Sequence, residues 1–214
     1  MFDPLRAEVI DRFTGIESFF KAAHGLKGDA AQIAKGLAFV QMYSVYEYTV
    51  CTVVQTAIDV LVSHNHSKKD LTPSLMALFL DSELTSLRDC TPKDVWDRRL
   101  KLFNQVFSDN FASVGNTVFP YDGSHFRHSH LQLIFDVLGI KRTPAQRNRH
   151  LHRIDEVVDH RNAISHGRET AENVGRRFSR SDILHIIEQI RSVCLLLISA
   201  IQKHCADSSL HRRK

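Results

Sequence analysis

The fold class expected from the sequence is all-α. Apolar residues recur at three- and four-residue steps over long stretches, hydroxyl–proline pairs mark helix starts, and sustained period-two alternation is missing. A first helix is expected from Pro4 to Ala23 and a long second one from Asp29 to about Val62, both from the spacing of apolar positions. Thr72-Pro73, Thr91-Pro92 and Thr143-Pro144 each set a capping hydroxyl ahead of a proline whose fixed φ suits the first helical position. Helices follow near 74–87, 93–110 and 126–139. Gln146 completes a capping box with Thr143, and the helix opened there should run to His166, where Gly167 can take the left-handed conformation that ends it. The run Phe178-Ser179-Arg180-Ser181-Asp182-Ile183 reads as a cap stapled by Phe178 and Ile183. From there Ile183, Ile187, Ile190, Cys194, Leu197 and Ile201 line one apolar face over about six turns. Residues 112–124 and 167–177 read as loops, and 207–214 as a flexible, frayed tail.

The totals limit function. A chain of 214 residues suits one domain, expected over 1–206, since domains usually run to about 100–200 residues. The net charge of +4, with 13 histidines counted neutral, is only mildly basic, so nucleic-acid affinity has to come from clustering. Cys51, Cys90, Cys194 and Cys205 form no C-x-x-C pair, which fits a reducing, cytoplasmic setting. The N-terminal residues lack the basic-then-apolar pattern of a secretory signal. Gln41, Glu47, Gln55 and Asp59 interrupt the apolar stretch from Leu37 to Val62, whereas a membrane span needs about 20 nearly uncharged residues; a core helix is expected, with no membrane partner.

Chemistry concentrates in Val157-Val158-Asp159-His160-Arg161-Asn162-Ala163-Ile164-Ser165-His166-Gly167. Leu151, Ile154, Val158 and Arg161 follow helical spacing, so Arg161 extends the core-facing stripe towards the helix end. Asn162 and His166, four apart, stack on an adjacent face, and the five-residue step from Arg161 to His166 turns those two partly away from each other. Upstream, Glu47 is the only charged residue between Lys35 and Asp59, and a carboxylate in so apolar a setting wants a cationic or hydrogen-bonding partner. Arg161 or His166 is the expected partner; the competing arrangement puts Glu47 on a narrow solvent stripe with Ser44 and Gln55. The purely structural alternative for the motif pairs Arg161 with Glu47, lets Asn162 cap a neighbour and leaves His166 at a helix C-terminus that favours cations.

Embedded as Arg161-Asn162-Ala163-Ile164-Ser165-His166-Gly167, the motif resembles the R-x4-6-H signature of the HEPN superfamily, and Tyr46-Glu47 in a long apolar helix resembles the acidic helix position of many members. The resemblance covers the long second helix, the motif helix and the last helix; residues 64–143 read as an inserted helical segment. It implies an up-and-down helical bundle, usually dimeric, many of whose members are metal-independent RNases in toxin–antitoxin, anti-phage or RNA-processing settings. By position, Arg161 and His166 become the catalytic pair, Asn162 the polar helper and Glu47 a site-shaping residue.

The residue types suit that chemistry in their own right. Metal-free RNA cleavage needs a base for the 2′-hydroxyl proton, a donor for the leaving 5′-oxygen and a cation on the phosphorane; histidine and arginine supply these at neutral pH. One chain offers one motif histidine, so a homodimer bringing two motif tips together is expected to build a composite site. Lys141, Arg142, Arg147, Arg149 and Arg153, with Arg168 beyond the motif, can neutralise RNA phosphates without reading sequence, or form an ordinary solvated face. The expected function is therefore a metal-independent endoribonuclease acting on RNA, a toxin or defence effector whose partners include a cognate antitoxin or regulatory protein; the alternative is a non-catalytic RNA-, nucleotide- or partner-binding protein. No cofactor is expected. His125, His128 and His130, and separately His64 and His66, cluster in sequence, but no cysteine pair or helix-spaced acid joins them, so no metal site is expected. The absence of a G-x-S-x-G elbow argues against a serine hydrolase.

Overall fold

Helical spacing becomes helices almost throughout. The computed structural model describes residues 1–111, 125–141 and 151–212. Among them lie nine α-helices: α1 (Phe2–Ala22), α2 (Gly28–Ser63), α3 (Pro73–Phe79), α4 (Asp81–Asp89), α5 (Val95–Val106), α6 (His128–Val137), α7 (Leu151–Ser165), α8 (Ala171–Arg176) and α9 (Arg180–Cys205). Extended pairing among the described residues is limited to two isolated bridges, Ser67 with Phe111 and Leu71 with Arg212. The fold is all-α, as the sequence predicts.

The chain divides into two compact units. The first comprises Met1–Val53, His125–Leu131 and Arg142–Ser199. In α1, Leu5, Val9, Phe13, Ile16 and Phe20 are buried at helical spacing. They join a core containing Ala38, Phe39, Met42 and Tyr46 of α2, Ile154, Val157 and Val158 of α7, and Ile183, Ile187, Ile190 and Cys194 of α9. Burial of each large apolar side chain contributes about 1.5–3 kcal/mol, so helix packing rather than propensity holds this unit together. The start of α9 is fixed by a reciprocal cap: the backbone N–H of Ser179 donates to Asp182 Oδ2 at 2.8 Å, and that of Asp182 to Ser179 Oγ at 3.1 Å. Hydrogen bonding to the carboxylate from the Ser179 side chain, and then from its backbone N–H, holds the Asp182 pKa below its ordinary value.

One contact in this unit sets the loop behind the motif. A Cβ on Gly175 of α8 would lie 1.9 Å from the carbonyl oxygen of Gln32, and one on Gly36 would lie 2.0 Å from that of Ala171. Backbone therefore packs on backbone between α2 and α8, at a separation that only hydrogen side chains permit.

The second unit comprises Val54–Ser124, Gln132–Lys141 and Ala200–Lys214. Leu71, Leu75, Leu78 and Phe79 are buried there with Ile134, Leu138 and Ile201. Asn65 ends the α2 region with a φ of 52°, a conformation asparagine tolerates better than most residues. Lys68, although buried, donates to Glu83 Oε1 and to Gln105 Oε1, each at 3.1 Å, so its charge is satisfied.

Four elements differ from expectation. The helix near 74–87 breaks at Leu80, whose φ of −108° and ψ of 10° end α3 and begin α4. The helix near 93–110 is shorter at both ends. The 167–177 loop contains α8, capped by the Thr170 side chain accepting from the Asn173 N–H at 3.1 Å. At the C-terminal end, Ser208–His211 form a 3-10 turn whose His211 is fully buried, where a frayed tail was expected. The Thr143 cap, the Gln146 box and the 112–124 loop lie outside the described residues. By length and composition α2 and α9 each contain a stretch apolar enough to cross a membrane, with half of each stretch buried in the protein.

Candidate functional site

The predicted end of the motif helix is where the structure puts it. α7 stops at Ser165, and Gly167 takes a φ of +68°. The His166 N–H closes the last turn on Asn162 O at 3.0 Å, and the Glu169 N–H returns to Ala163 O at 3.0 Å. With α8 packed on α2 just beyond, the tip of α7 is held from both sides in sequence.

Arg161 is half-buried, as the apolar stripe leading to it predicts. Its Nη1 donates to Asn162 Oδ1 at 2.9 Å, and its Cζ stands 4.5 Å from the centre of the Tyr43 ring. Asn162 is itself buried, so the guanidinium is oriented by an amide on one side and an aromatic face on the other. The same Nη1 lies 3.3 Å from His125 Nδ1. Burial, and then the adjacent Arg161 charge, lower the His125 pKa below its ordinary value, favouring a neutral imidazole that can accept a proton. The rings of His125 and His166 are 6.2 Å apart between centres, and His166 is exposed. His125 thus closes the gap that the five-residue step leaves between Arg161 and His166.

Glu47 does not pair with Arg161 or His166 in the structure. It accepts a hydrogen bond from the Tyr43 hydroxyl at 3.2 Å, one helical turn back on α2. Tyr43 carries the guanidinium on its ring and the carboxylate on its hydroxyl, so it links the two groups in place of a direct ion pair. Burial first, and the Glu47 charge next, raise the Tyr43 pKa and keep the phenol protonated as a donor. His160, adjacent to Arg161 in sequence, points elsewhere: its ring packs between Phe39 and Phe178, at 4.8 and 5.3 Å between centres.

The expected basic patch is only partly described. Lys141 and Arg168 are exposed; Arg153 is half-buried and paired with Glu156. Arg142, Arg147 and Arg149 lie outside the described residues. The three sequence-adjacent histidines separate: His125 faces Arg161, His128 Nδ1 meets Asp155 Oδ2 at 2.7 Å, and His130 Nδ1 accepts from the Arg127 N–H at 3.2 Å.

Four predicted residues, Arg161, Asn162, His166 and Glu47, therefore gather within the first unit with two others, Tyr43 and His125. Tyr43 had a legible signal, its four-residue spacing from Glu47. His125 had none, because a residue 36 positions before Arg161 reaches it only through tertiary folding. A fixed guanidinium beside two imidazoles can bind an anionic oxygen and exchange protons with groups on either side of it.

No curated protein and no solved structure matches the chain. The sequence model of the HEPN_MAE_28990-like HEPN family does match, over residues 1–209, a span that includes the segment 64–143. The chain belongs to this HEPN family, and with it to a superfamily in which RNase activity and RNA binding are common.

Proposed function

We propose that the chain is a metal-independent endoribonuclease. The observation that carries this reading is the convergence of Arg161, His125 and His166 at the tip of α7, with the guanidinium held by Asn162 and Tyr43. In the reaction, a neutral imidazole takes the proton of the ribose 2′-hydroxyl as its oxygen attacks phosphorus. Arg161 carries the charge that builds on the phosphorane oxygens. A protonated imidazole gives its proton to the departing 5′-oxygen, leaving a 2′,3′-cyclic phosphate and a 5′-hydroxyl. The lowered pKa of His125 supports assigning it the first transfer, and the exposure of His166 supports assigning it the second. Asn162 and Glu47 are positioning residues, Glu47 acting through Tyr43.

A two-fold partner brings a second Arg161–His166 tip to the same cleft, making the site composite, and RNA backbone lies along exposed cations such as Arg168. In its cellular setting the chain acts as a toxin or defence effector in the cytoplasm, held in check by an antitoxin or regulatory protein.

The test is incubation of purified protein with RNA in excess EDTA, followed by end-group analysis. Cyclic phosphate ends, lost in folded Arg161→Ala and His166→Ala variants, support the reading. Arg161-dependent RNA binding without cleavage supports a non-catalytic HEPN binding protein instead. Recovery of cleavage on mixing the two inactive variants would establish the composite site.

A further inference from the structure

We propose that His64, His66 and His211 form a binding site for a zinc-type divalent transition ion. The site lies wholly in the second unit and is independent of the nuclease reading. Each of the three histidines offers a ring nitrogen, and these atoms lie within 4.8 Å of one another. Their ring centres form a near-equilateral triangle with sides of 5.4, 5.7 and 5.9 Å.

The closest pair has the spacing a metal would impose. His64 Nδ1 and His211 Nδ1 are 3.4 Å apart, which is long for a hydrogen bond. Two imidazole nitrogens bound at the usual zinc distance of about 2.0–2.1 Å around a tetrahedral ion stand roughly 3.3–3.4 Å from each other. The tautomer also fits. His211 Nε2 lies 3.2 Å from the His204 carbonyl oxygen, an acceptor that fixes the proton on Nε2 and leaves the Nδ1 lone pair facing His64.

The third histidine supplies the independent observation. His66 is 3% exposed, and its Nε2 is buried with no hydrogen-bond partner. A buried imidazole nitrogen without a partner forfeits its hydration uncompensated, and coordination by a metal relieves that penalty. One cation already competes for this ring: Arg212 Nε donates to His66 Nδ1 at 3.1 Å. Arg212 is exposed, so the ion gains His66 by displacing that side chain, after which the imidazole proton moves to Nδ1 and Nε2 becomes a ligand. Three histidines leave a fourth coordination position for water or an added ligand. His64 and His66 follow the end of α2, while His211 is near the other end of the chain, and its carbonyl accepts the Thr72 N–H at 3.0 Å. The ion thus ties the C-terminal turn to the segment after α2.

The experiment is zinc titration of the apo full-length chain by calorimetry, with metal content after desalting and a thermal melt for each variant. One zinc per chain and a rise in Tm of several degrees are expected, both lost in His64→Ala, a substitution at a half-buried position. Cobalt in place of zinc should give the visible absorption of a four-coordinate site. Arg212→Ala should tighten binding about tenfold, since it removes a competing cation. His166→Ala should leave zinc binding unchanged while abolishing RNA cleavage, which keeps the two proposals separable. Wild-type protein that takes up no zinc overturns the metal site, as does uptake that survives His64→Ala or disappears in His166→Ala.

Discussion

In the first unit the imidazoles of His125 and His166 stand with ring centres 6.2 Å apart beside the half-buried guanidinium of Arg161; in the second, those of His64, His66 and His211 stand 5.4–5.9 Å apart, with the exposed Arg212 at their edge. Both groups contain histidine and arginine, so composition does not separate them. What differs is how the arginine is held. Arg161 is held by Asn162 and stacked on Tyr43, a permanent positive charge in a fixed orientation. Arg212 has its Nε on His66 and its side chain in solvent, so it is displaceable where Arg161 is not. The same residue types, histidine and arginine, thus offer different chemistry according to how firmly the arginine is held.

The sharpest way to break this comparison is to truncate one member of each group and follow one reaction. Arg161→Ala and His166→Ala should each lower the initial rate of RNA cleavage in EDTA by about 10²–10⁴, the range for loss of a proton-transfer or charge-stabilising group, while His64→Ala leaves it within twofold. Equal losses in all three would make the two groups one functional device.

Next in size is the latch behind the motif. Gly175→Ala forces a Cβ to 1.9 Å from a backbone oxygen, so either the helices part or α8 unravels. A loss of about 3 kcal/mol or more in urea denaturation is expected, and Gly36→Ala should behave alike. Gly15→Ala, whose Cβ meets nothing within 4 Å, is the matched control and should be neutral or slightly stabilising.

A smaller effect separates the histidines beside Arg161 from the packed His160. Burial, chiefly, lowers the His160 pKa below its ordinary value of about 6.5. The unfolded chain therefore binds the proton more readily, so the stability linked to His160 is fully present above about pH 6.5 and is lost as pH falls through the folded-state pKa. Urea midpoints should decline from pH 7.5 to 5.5, and His160→Phe should flatten that decline without affecting the metal titration. The smallest change is expected from Arg168→Ala: weaker RNA binding and a salt slope reduced by about one, with the cleavage products unchanged.

How much of this was legible depended on range. The periodicity of α1, α2 and α9 is written in contiguous residues, and so are the Ser179–Asp182 cap and the positive φ of Gly167. Placing Arg161 on the core-facing stripe needed only helix geometry. By contrast, α8 is six residues long, too short for periodicity to register, and it depends on a backbone contact with α2 that no local pattern announces. The partner of Glu47 differs from the charge pair the sequence favours because Tyr43 on the same helix meets the carboxylate while the guanidinium keeps its amide contact. His125 and His211 reach their neighbours from 36 and 147 residues away, and such encounters belong to tertiary structure alone.

The bare-backbone contact of α2 with α8 joins Gln32 and Gly36, in the first segment of the unit, to Ala171 and Gly175, in its last. Closing so large a loop is slow, because its entropy is lost before the contact rewards it. The tip of α7 should consequently be among the last parts to mature during refolding, its Arg161–His125 contact completed only when both ends of the unit have met.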